Sequence, residues 1–333
     1  MPLKLGILGI DHGHIFGMLA NMAAHGCTAD AYWTDGPAVT EAKFRETFPD
    51  LEKVEDRRRI LEDPEIDMVL ISSVPADRAE LAIEAMRADK DVMVDKPGCT
   101  TLDQLAKLRA VQAETRRIWS VNFSERFEVP AVTRAEELVF GGAIGRVIQT
   151  VGLGPHKQNL KTRPPWFFER QRYGGILCDI GSHQIDQFLH FTGSVTAEIP
   201  HAHVENTTHP DHPGFQDFGE IVLRSPQGHG YIRVDWFTPD GLPTWGDGRL
   251  FIQGTEGHIE LRKYTDIGHP HVTNTLYLVN GEENARIDCS DAGLPYFGKL
   301  IADVQDRTET AMSQTHAFTT TELAIRAQMR AEA

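Results

Sequence analysis

The stretch KLGILGIDHGHIFGMLANMAA, residues 4–24, decides the fold of the first half of the chain. The run from Leu3 to Ile10 is apolar and contains Gly9, and apolar residues then recur at helical spacing from His14 to Ala24. This pattern predicts a strand, a glycine turn and a helix.

The alternation of strands and helices continues to residue 123. Further strands are predicted at residues 28–34, 67–72, 91–94 and 119–123. The predicted helices are one opened by Pro37, one over about 77–88, and one that begins at the Thr101 and Gln104 capping box. This order predicts an α/β fold with a doubly wound parallel sheet, and such sheets bind ligands at the carboxyl ends of their strands.

Composition limits the classes of function. With 333 residues, of which 41% are hydrophobic, the chain can form two domains. Thirty-three Lys and Arg against 48 Asp and Glu give a formal charge of -15, which argues against nucleic acid and anionic membranes as partners. The N-terminus has no basic leader, no apolar run reaches about 18 residues, and four widely spaced cysteines fit reduced thiols, so we expect a cytoplasmic protein.

The loop after the first strand departs from the dinucleotide-binding fingerprint. It reads GIDHGH, and of the three glycines in Gly-x-Gly-x-x-Gly only Gly9 is in register. Asp11 and His14 occupy the other two positions, and Gly13 stands one residue early. Asp11 would repel a diphosphate unless it points away, caps the helix, or is offset by His12 and His14; it can equally be a simple N-cap.

Asp35 supports a dinucleotide site from the second strand. It lies 26 residues beyond Gly9, at the end of that strand, where an acid holds the ribose 2′-hydroxyl and favours NAD over NADP. The alternative is an exposed turn residue before Gly36 and Pro37. The run Arg57-Arg58-Arg59 is interpreted as a solvated helix face.

A carboxylate and an imidazole stand four residues apart in GGILCDIGSHQID, residues 174–186. On a helix, Asp179 and His183 would share one face, so that Asp179 orients the imidazole and stabilises it when protonated. This is the arrangement of a general base, although such pairs are also structural.

Several motifs together resemble the Gfo/Idh/MocA oxidoreductases, named for glucose-fructose oxidoreductase and inositol dehydrogenase. The central motif is Asp95-Lys96-Pro97 at a strand end, followed downstream by Asp179 and His183. The family usually has Glu-Lys-Pro, so Asp95 is one methylene shorter. Further matches are Ser73-Val74-Pro75, NFSERF at 122–127, GGAIG at 141–145, Trp166, and GTEG at 254–257.

The resemblance implies the domain organisation. We expect a Rossmann domain over residues 1–122, then an α+β domain over 123–333 with a large open, mostly antiparallel sheet. The free face of this sheet often builds homodimers or homotetramers in the family. Strand-like runs with Gly, Pro and Asp turns recur from Arg146 on, and a C-terminal helix over 320–333 is expected to pack back on the body.

The resemblance also implies the chemistry. His183 would accept a hydroxyl proton, Asp179 would fix its tautomer, and Lys96 would hydrogen-bond the same oxygen while hydride passes to NAD. The expected cofactor contacts are Gly9, Asp11, His12, Gly13, His14, Asp35, Ser73, Val74, Pro75, Asp95 and Lys96. The expected substrate contacts are Asn122, Arg126, His156, Trp166, Asp179 and His183. Trp166 can equally be a loop anchor, and Arg126 a domain-interface ion pair.

The sequence therefore favours an NAD-dependent dehydrogenase that oxidises a secondary hydroxyl of a sugar, inositol or related polyol, with NADP the less favoured cofactor. Two alternatives use the same fold: an NAD-recycling glycoside lyase or hydrolase, and a non-catalytic sugar- or cofactor-sensing regulator with a degenerate loop. A zinc hydrolase could use histidines 201, 203, 209 and 212, but their loop lacks metal-site spacing, and we expect no metal.

Overall fold

The computed structural model describes residues 2–269 and 271–333, and the chain forms two compact units. The first comprises Met1–Asn122, Lys161–Gly174 and Tyr296–Thr321. The second comprises Phe123–Leu160, Gly175–Pro295 and Glu322–Ala333. The predicted boundary between residues 122 and 123 stays a prediction.

The first unit contains a six-stranded parallel sheet. Its strands are β1 (Lys4–Leu8), β2 (Thr28–Trp33), β3 (Glu52–Lys53), β4 (Met68–Ile71), β5 (Asp91–Asp95) and β6 (Trp119–Asn122). Their order is β3-β2-β1-β4-β5-β6, with every pair parallel. The predicted doubly wound sheet is thus confirmed. Strand order reverses between β1 and β4, so a ligand crevice is expected outside the carboxyl ends of these two strands.

The second unit contains an eight-stranded sheet. Its strands are β7 (Val147–Pro155), β8 (Glu198–Glu205), β9 (Phe218–Arg224), β10 (His229–Asp235), β11 (Arg249–Gly254), β12 (Gly257–Arg262), β13 (Thr275–Asn280) and β14 (Asn284–Asp288). The order is β14-β13-β12-β11-β7-β10-β9-β8, and only the β7 and β10 pair is parallel among these strands. The mostly antiparallel sheet is therefore confirmed. Buried and half-exposed residues alternate along β11, as expected for a sheet with one covered face.

Twelve α-helices complete the described chain. They are α1 (His14–Ala24), α2 (Glu41–Thr47), α3 (Arg58–Leu61), α4 (Arg78–Arg87), α5 (Leu102–Thr115), α6 (Ser124–Phe127), α7 (Pro130–Phe140), α8 (Arg170–Tyr173), α9 (Ile176–Asp179), α10 (Gly181–Thr192), α11 (Pro295–Asp306) and α12 (Gln314–Ala331). Helices α7 and α10 pack on the second sheet, around a core that includes Val132, Ile252 and Leu261. Within the described part of the chain, no helix is both long and apolar enough to span a membrane.

Two helix boundaries differ from the predictions. The helix expected to open at Pro37 begins at Glu41, because Gly36 turns the chain at φ +73° and the Thr40 hydroxyl donates to the Ile10 carbonyl. The C-terminal helix begins at Gln314, six residues before the predicted start, because the Ser313 hydroxyl accepts from the His316 amide at 3.1 Å and caps it.

Candidate active site

Gly9 joins the ends of β1 and β4. Its φ of +79° is one that glycine adopts without strain, and its amide donates to the Trp33 carbonyl at 2.7 Å. A Cβ atom at Gly9 would lie 2.6 Å from the Cα atom of Ser73, so a side chain has no room there. The glycine therefore allows the two strand-end loops to meet at the point where a dinucleotide domain holds its ligand.

The histidine-bearing loop leads directly into α1. The His12 amide donates to the Ser72 carbonyl at 3.1 Å, which fixes the loop against the end of β4. Gly13 precedes the helix, and no side chain caps it, so Asp11 is not its N-cap. Burial raises the pKa of Asp11 to about 6, and the neighbouring Asp77 adds to the effect.

Asp95 is the centre of a buried charge network. Its side chain is fully buried, and its two oxygens lie 2.8 Å from Nδ1 of His12 and of His14 respectively. Arg78 Nη2 binds the same carboxylate at 2.8 Å, and the Ser72 hydroxyl donates to it at 3.3 Å. Burial favours the neutral acid, but Arg78 and the two imidazoles outweigh it and hold the pKa of Asp95 well below its usual range.

The ligand atoms of His12, His14 and Asp95 lie within 4.8 Å of one another. Both imidazoles already contact the carboxylate, and the Arg78 guanidinium neutralises it. Burial lowers the pKa of His12 to about 4, against the attraction of Asp95. We therefore describe the cluster as a charge network, in which His14 is hydrogen-bonded to Asp95, and assign it no metal ion.

Arg78 holds the turn that carries Lys96. Its guanidinium is fully buried and donates to the carbonyls of Asp95 and Pro97 at 3.1 and 3.3 Å, and also to the Lys96 carbonyl. Its Nε atom donates to the Ser73 carbonyl at 2.8 Å. One arginine thus joins the strand-end turn after β4 to the turn after β5, and the sequence analysis gave it no role.

A cavity of about 300 Å³ lies at this edge of the sheet. Its lining includes Asp11, Trp33, Asp35, Ser73, Val74 and Asp77. Pro75, which follows Val74, starts a 3₁₀ helix beside it. Asp35 is exposed, as a ribose ligand must be.

Two arginines also line this cavity, and neither was assigned to a site from sequence. Arg57 was assigned to a solvated face, but it lies 5.1 Å from the Trp33 ring and pairs with Glu84 at 2.6 Å. Arg172 binds Asp77 through two contacts of 2.8 and 2.9 Å. Both arginines are paired with acids.

A larger cavity, about 620 Å³, lies at the other edge of the same sheet. Its lining residues Leu3, Asp67 and Lys90 immediately precede β1, β4 and β5. Ligands of doubly wound sheets bind at the carboxyl ends of the strands, so we assign the dinucleotide to the smaller cavity. The Gly9 turn, the start of α1 and the acid at the end of β2 fit the diphosphate and ribose of such a cofactor.

The second unit carries Asp179 and His183 on two successive helices. Asp179 is the last residue of α9, and His183 lies in the first turn of α10. Ile180 separates the two helices and Gly181 starts the second one, so Asp179 and His183 do not lie on one continuous helix. Both side chains are buried, and the Phe123 ring meets the imidazole edge-on with centroids 6.4 Å apart.

A buried ion pair lies next to this segment. Lys263 Nζ and Gln184 Nε2 both donate to Glu125 Oε2 at 2.8 Å, and neither charged residue is more than 1% exposed. Burial opposes ionisation of Glu125, but Lys263, His183 and His156 outweigh it and hold the pKa of its carboxyl at about 2. Sequence spacing gives no signal for this pair, because 138 positions separate its members.

Both halves of the chain match models of one family. Residues 16–123 match the oxidoreductase family model with the NAD-binding Rossmann fold, and residues 132–260 match the GFO/IDH/MocA C-terminal domain model. The chain belongs to the Gfo/Idh/MocA family. The predictions of this family, and of an NAD-binding Rossmann domain within it, are therefore confirmed.

Relatives of this Gfo/Idh/MocA protein include named dehydrogenases. The scyllo-inositol 2-dehydrogenase (NAD(+)) of Bacillus subtilis is 28% identical over 226 residues, which are 66% of this chain and 61% of that enzyme. The first curated relatives are matched over only about 60% of their own length. A solved structure from Erwinia carotovora atroseptica, provisionally named an oxidoreductase, is 43% identical, with a TM-score of 0.95 and coverage of 99% of this chain and 98% of its own.

Levoglucosan dehydrogenase in complex with NADH and L-sorbose shares the fold. It aligns with 99% of this chain and 96% of its own, with a TM-score of 0.77 and 19% identity. At that identity, the likeness concerns the fold alone.

The remaining predicted residues of the family site fall in different places. In the first unit, Asn122 is fully buried at the end of β6, and Trp166 is half-buried in a 3₁₀ helix. In the second unit, Arg126 forms a bidentate ion pair with Asp186 at 2.7 Å. His156 directly follows β7, and its ring lies 4.5 Å from that of Trp245 and 5.3 Å from that of Trp236. The substrate roles of these residues stay predictions.

The expectation that the four histidines share a loop was wrong for His201 and His203, which lie in β8, because this segment pairs with β9 in the second sheet. The histidines also have acidic neighbours. His201 lies 3.0 Å from Glu220, and His209 lies 3.2 Å from Asp217. Among the described residues, no group of three metal-ligating side chains close enough to share an ion includes them. The four cysteines are buried and form no disulfide within the described residues.

Proposed function

We propose that this protein is an NAD-dependent dehydrogenase that oxidises a secondary hydroxyl of a sugar, inositol or related polyol. The observation that carries the proposal is a set of hydrogen bonds from the Arg78 guanidinium. It donates to the carbonyl of Ser73, which lines the dinucleotide cavity, and to the carbonyl of Lys96. The scyllo-inositol enzyme among the relatives supports the substrate class.

Each proposed catalytic residue has a chemical role. His183 would accept the proton of the substrate hydroxyl, and Asp179 would orient the imidazole and balance its charge. The Lys96 ammonium would hydrogen-bond the same oxygen as its carbonyl character develops. When bound, NAD supplies the hydride acceptor. Asp35 would hold the ribose hydroxyls, and the excess of carboxylates around the cavity favours NAD over NADP.

NADH formation at 340 nm with NAD and a polyol panel tests the proposal. His183→Ala should lower kcat by about 10² or more, the usual contribution of a general base. His229→Asn, which changes an exposed histidine of β10, should leave kcat unchanged within about twofold. Unchanged turnover in His183→Ala would reject the assignment, and no turnover with any polyol would reject the activity.

The histidine-bearing loop is the observation that favours a second candidate, a non-catalytic cofactor-sensing protein. This candidate predicts NADH binding without turnover of any polyol. The NAD-recycling lyase or hydrolase predicts that cofactor copurifies with the protein and that glycosides are cleaved without net NADH formation.

The proposed function includes a cytoplasmic location and a homodimer or homotetramer built on the second sheet. Light scattering of the purified protein tests the assembly: a monomer at micromolar concentration would contradict it.

A further inference from the structure

The strand order indicates where the adenine of a bound dinucleotide would lie. The diphosphate is assigned to the Gly9 turn after β1 and the ribose to Asp35 after β2, so the next strand outward is β3. Arg57 follows β3 by four residues, Trp33 ends β2, and both line the cavity. Its volume of about 300 Å³ is at the lower end of the ~300–1,000 Å³ of ligand pockets, which suits a nucleoside better than a whole dinucleotide.

The guanidinium of Arg57 has one face on Trp33 and one edge on Glu84. Its Cζ atom lies over the Trp33 ring, 5.1 Å from the centroid. Its Nε and Nη2 atoms donate to the two carboxylate oxygens of Glu84 at 2.6 and 2.7 Å, and this bidentate pair fixes the plane of the guanidinium. The Arg57 side chain is nevertheless 37% exposed. The face turned away from Trp33 is therefore the surface that Arg57 can offer to a ligand.

The charges near Arg57 suit a neutral base better than a phosphate. Hydrogen bonding to Glu84 raises the pKa of the guanidinium, and the charge of Asp35 adds to this effect. Asp35 and Glu80 also line the cavity, so a phosphate at Arg57 would approach several carboxylates. An uncharged aromatic base avoids this repulsion, and a guanidinium plane stacks well on an aromatic face.

Apolar side chains line the opposite side of the cavity. Val74, Ala76 and Leu81 belong to the segment that follows β4. In the sheet, β2 and β1 stand between β3 and β4, so this segment and Arg57 lie on opposite sides of the cavity. A planar base between them would bury apolar surface on one face and contact the guanidinium with the other.

We propose that the adenine ring of the cofactor stacks on the guanidinium of Arg57, which packs on Trp33 and is held in plane by Glu84. The inference rests on the proposed NAD-dependent function and assigns the residues that bind the adenine base. Trp33 and Glu84 are positioning residues in it, because they act through Arg57. The stack contacts only the face of the base, so it serves NAD and NADP alike and leaves the choice between them to Asp35.

Isothermal titration with ADP-ribose and with 2′-phospho-ADP-ribose tests the proposal. Arg57→Lys keeps a positive charge beside Glu84 but loses the planar face, so it should weaken the binding of both ligands equally, by about tenfold. Arg57→Tyr supplies a planar face without the charge, so it should bind ADP-ribose within about threefold of wild type. An arginine that only held the loop through its ion pair would give the reverse order, because lysine can keep that pair and tyrosine cannot.

Two further variants complete the experiment. Arg59→Lys is the matched control: Arg59 also forms a bidentate pair, with Glu52 at 2.7 Å, but lies outside the lining of the cavity, so both ligands should bind normally. Trp33→Leu removes the support without changing Arg57 and should weaken both ligands by about threefold. Melting curves by circular dichroism show whether each variant is folded, and Trp33→Leu decides the question if an Arg57 variant is not.

Three results would overturn the proposal: unchanged ADP-ribose affinity in Arg57→Lys, a loss confined to the 2′-phosphate, or weaker ADP-ribose binding in Arg57→Tyr than in Arg57→Lys. The expected losses without turnover of any polyol would support the stack and refute the proposed activity. Polyol turnover with an unchanged KM for NAD in Arg57→Lys would refute the stack alone. Failure of wild type to bind either ligand would refute both.

Discussion

Removal of the Lys263 ammonium should destabilise the second unit by about 3–5 kcal/mol. The ammonium lies 2.8 Å from Glu125 Oε2, and both side chains are almost fully buried. Lys263→Met keeps most of the side-chain length, so the change removes a charge without opening a large cavity. The carboxylate that remains is buried and still accepts a hydrogen bond from the Gln184 amide at 2.8 Å.

The pKa of Glu125 gives a second measure of the same interaction. A drop from the ordinary value of 4.5 to about 2 corresponds to about 3 kcal/mol in favour of the carboxylate. Because the folded pKa lies below the unfolded one, this stability is present above pH 4.5 and is lost as the pH falls through about 2. At pH 7 the contribution is complete, so the loss in Lys263→Met is measured there.

Urea unfolding at pH 7, followed by tryptophan fluorescence, is the assay. Trp236 and Trp245 report on the second unit. Lys107→Met, which removes an exposed lysine of α5, is the control and should change the unfolding free energy by less than about 0.5 kcal/mol. The double variant Glu125→Leu/Lys263→Met should recover most of the loss, because it leaves no buried charge behind. A loss below about 1 kcal/mol in Lys263→Met, or a double variant as unstable as the single one, would refute the reasoning.

Three further predictions concern the dinucleotide cavity. Gly9→Ala should cost about 2 kcal/mol in thermal unfolding, more than Gly36→Ala, because both glycines have positive φ but only Gly9 would clash with Ser73; equal losses would contradict the steric argument. Asp11→Asn should stabilise the protein at pH 8 by at most about 3 kcal/mol. The raised pKa of about 6 means that wild type regains this stability as the pH falls through 6, so urea unfolding at pH 4 should show no gain. Asp35→Ala should weaken NADH binding by about tenfold in a fluorescence titration but leave NADPH binding unchanged, because a ribose 2′-hydroxyl contact is lost; equal loss for both would exclude that contact.

Local pattern was sufficient for the architecture of the first unit. Apolar runs, helical spacing and glycine turns are set by neighbours within a few residues, so the six parallel strands follow the alternation read from the sequence, apart from the two-residue strand β3. Helix boundaries were less well predicted where a tertiary contact determines the local conformation. Residues 37–40 form a loop because Thr40 reaches Ile10 in another segment, which no local pattern indicates.

The sequence by itself determined the fold class, the family and the positions of Gly9, Asp35 and Lys96 after strand ends, because these depend on periodicity and short motifs. Only the tertiary structure decided which of the chain's charges meet. Asp95 contacts His14 from 81 positions away, and Glu125 meets Lys263 across 138. Such pairs have no period in sequence, since they depend on which strand ends become neighbours when the sheets form. Only the structure shows that His12 and His14, in the loop that departs from the fingerprint, both contact Asp95.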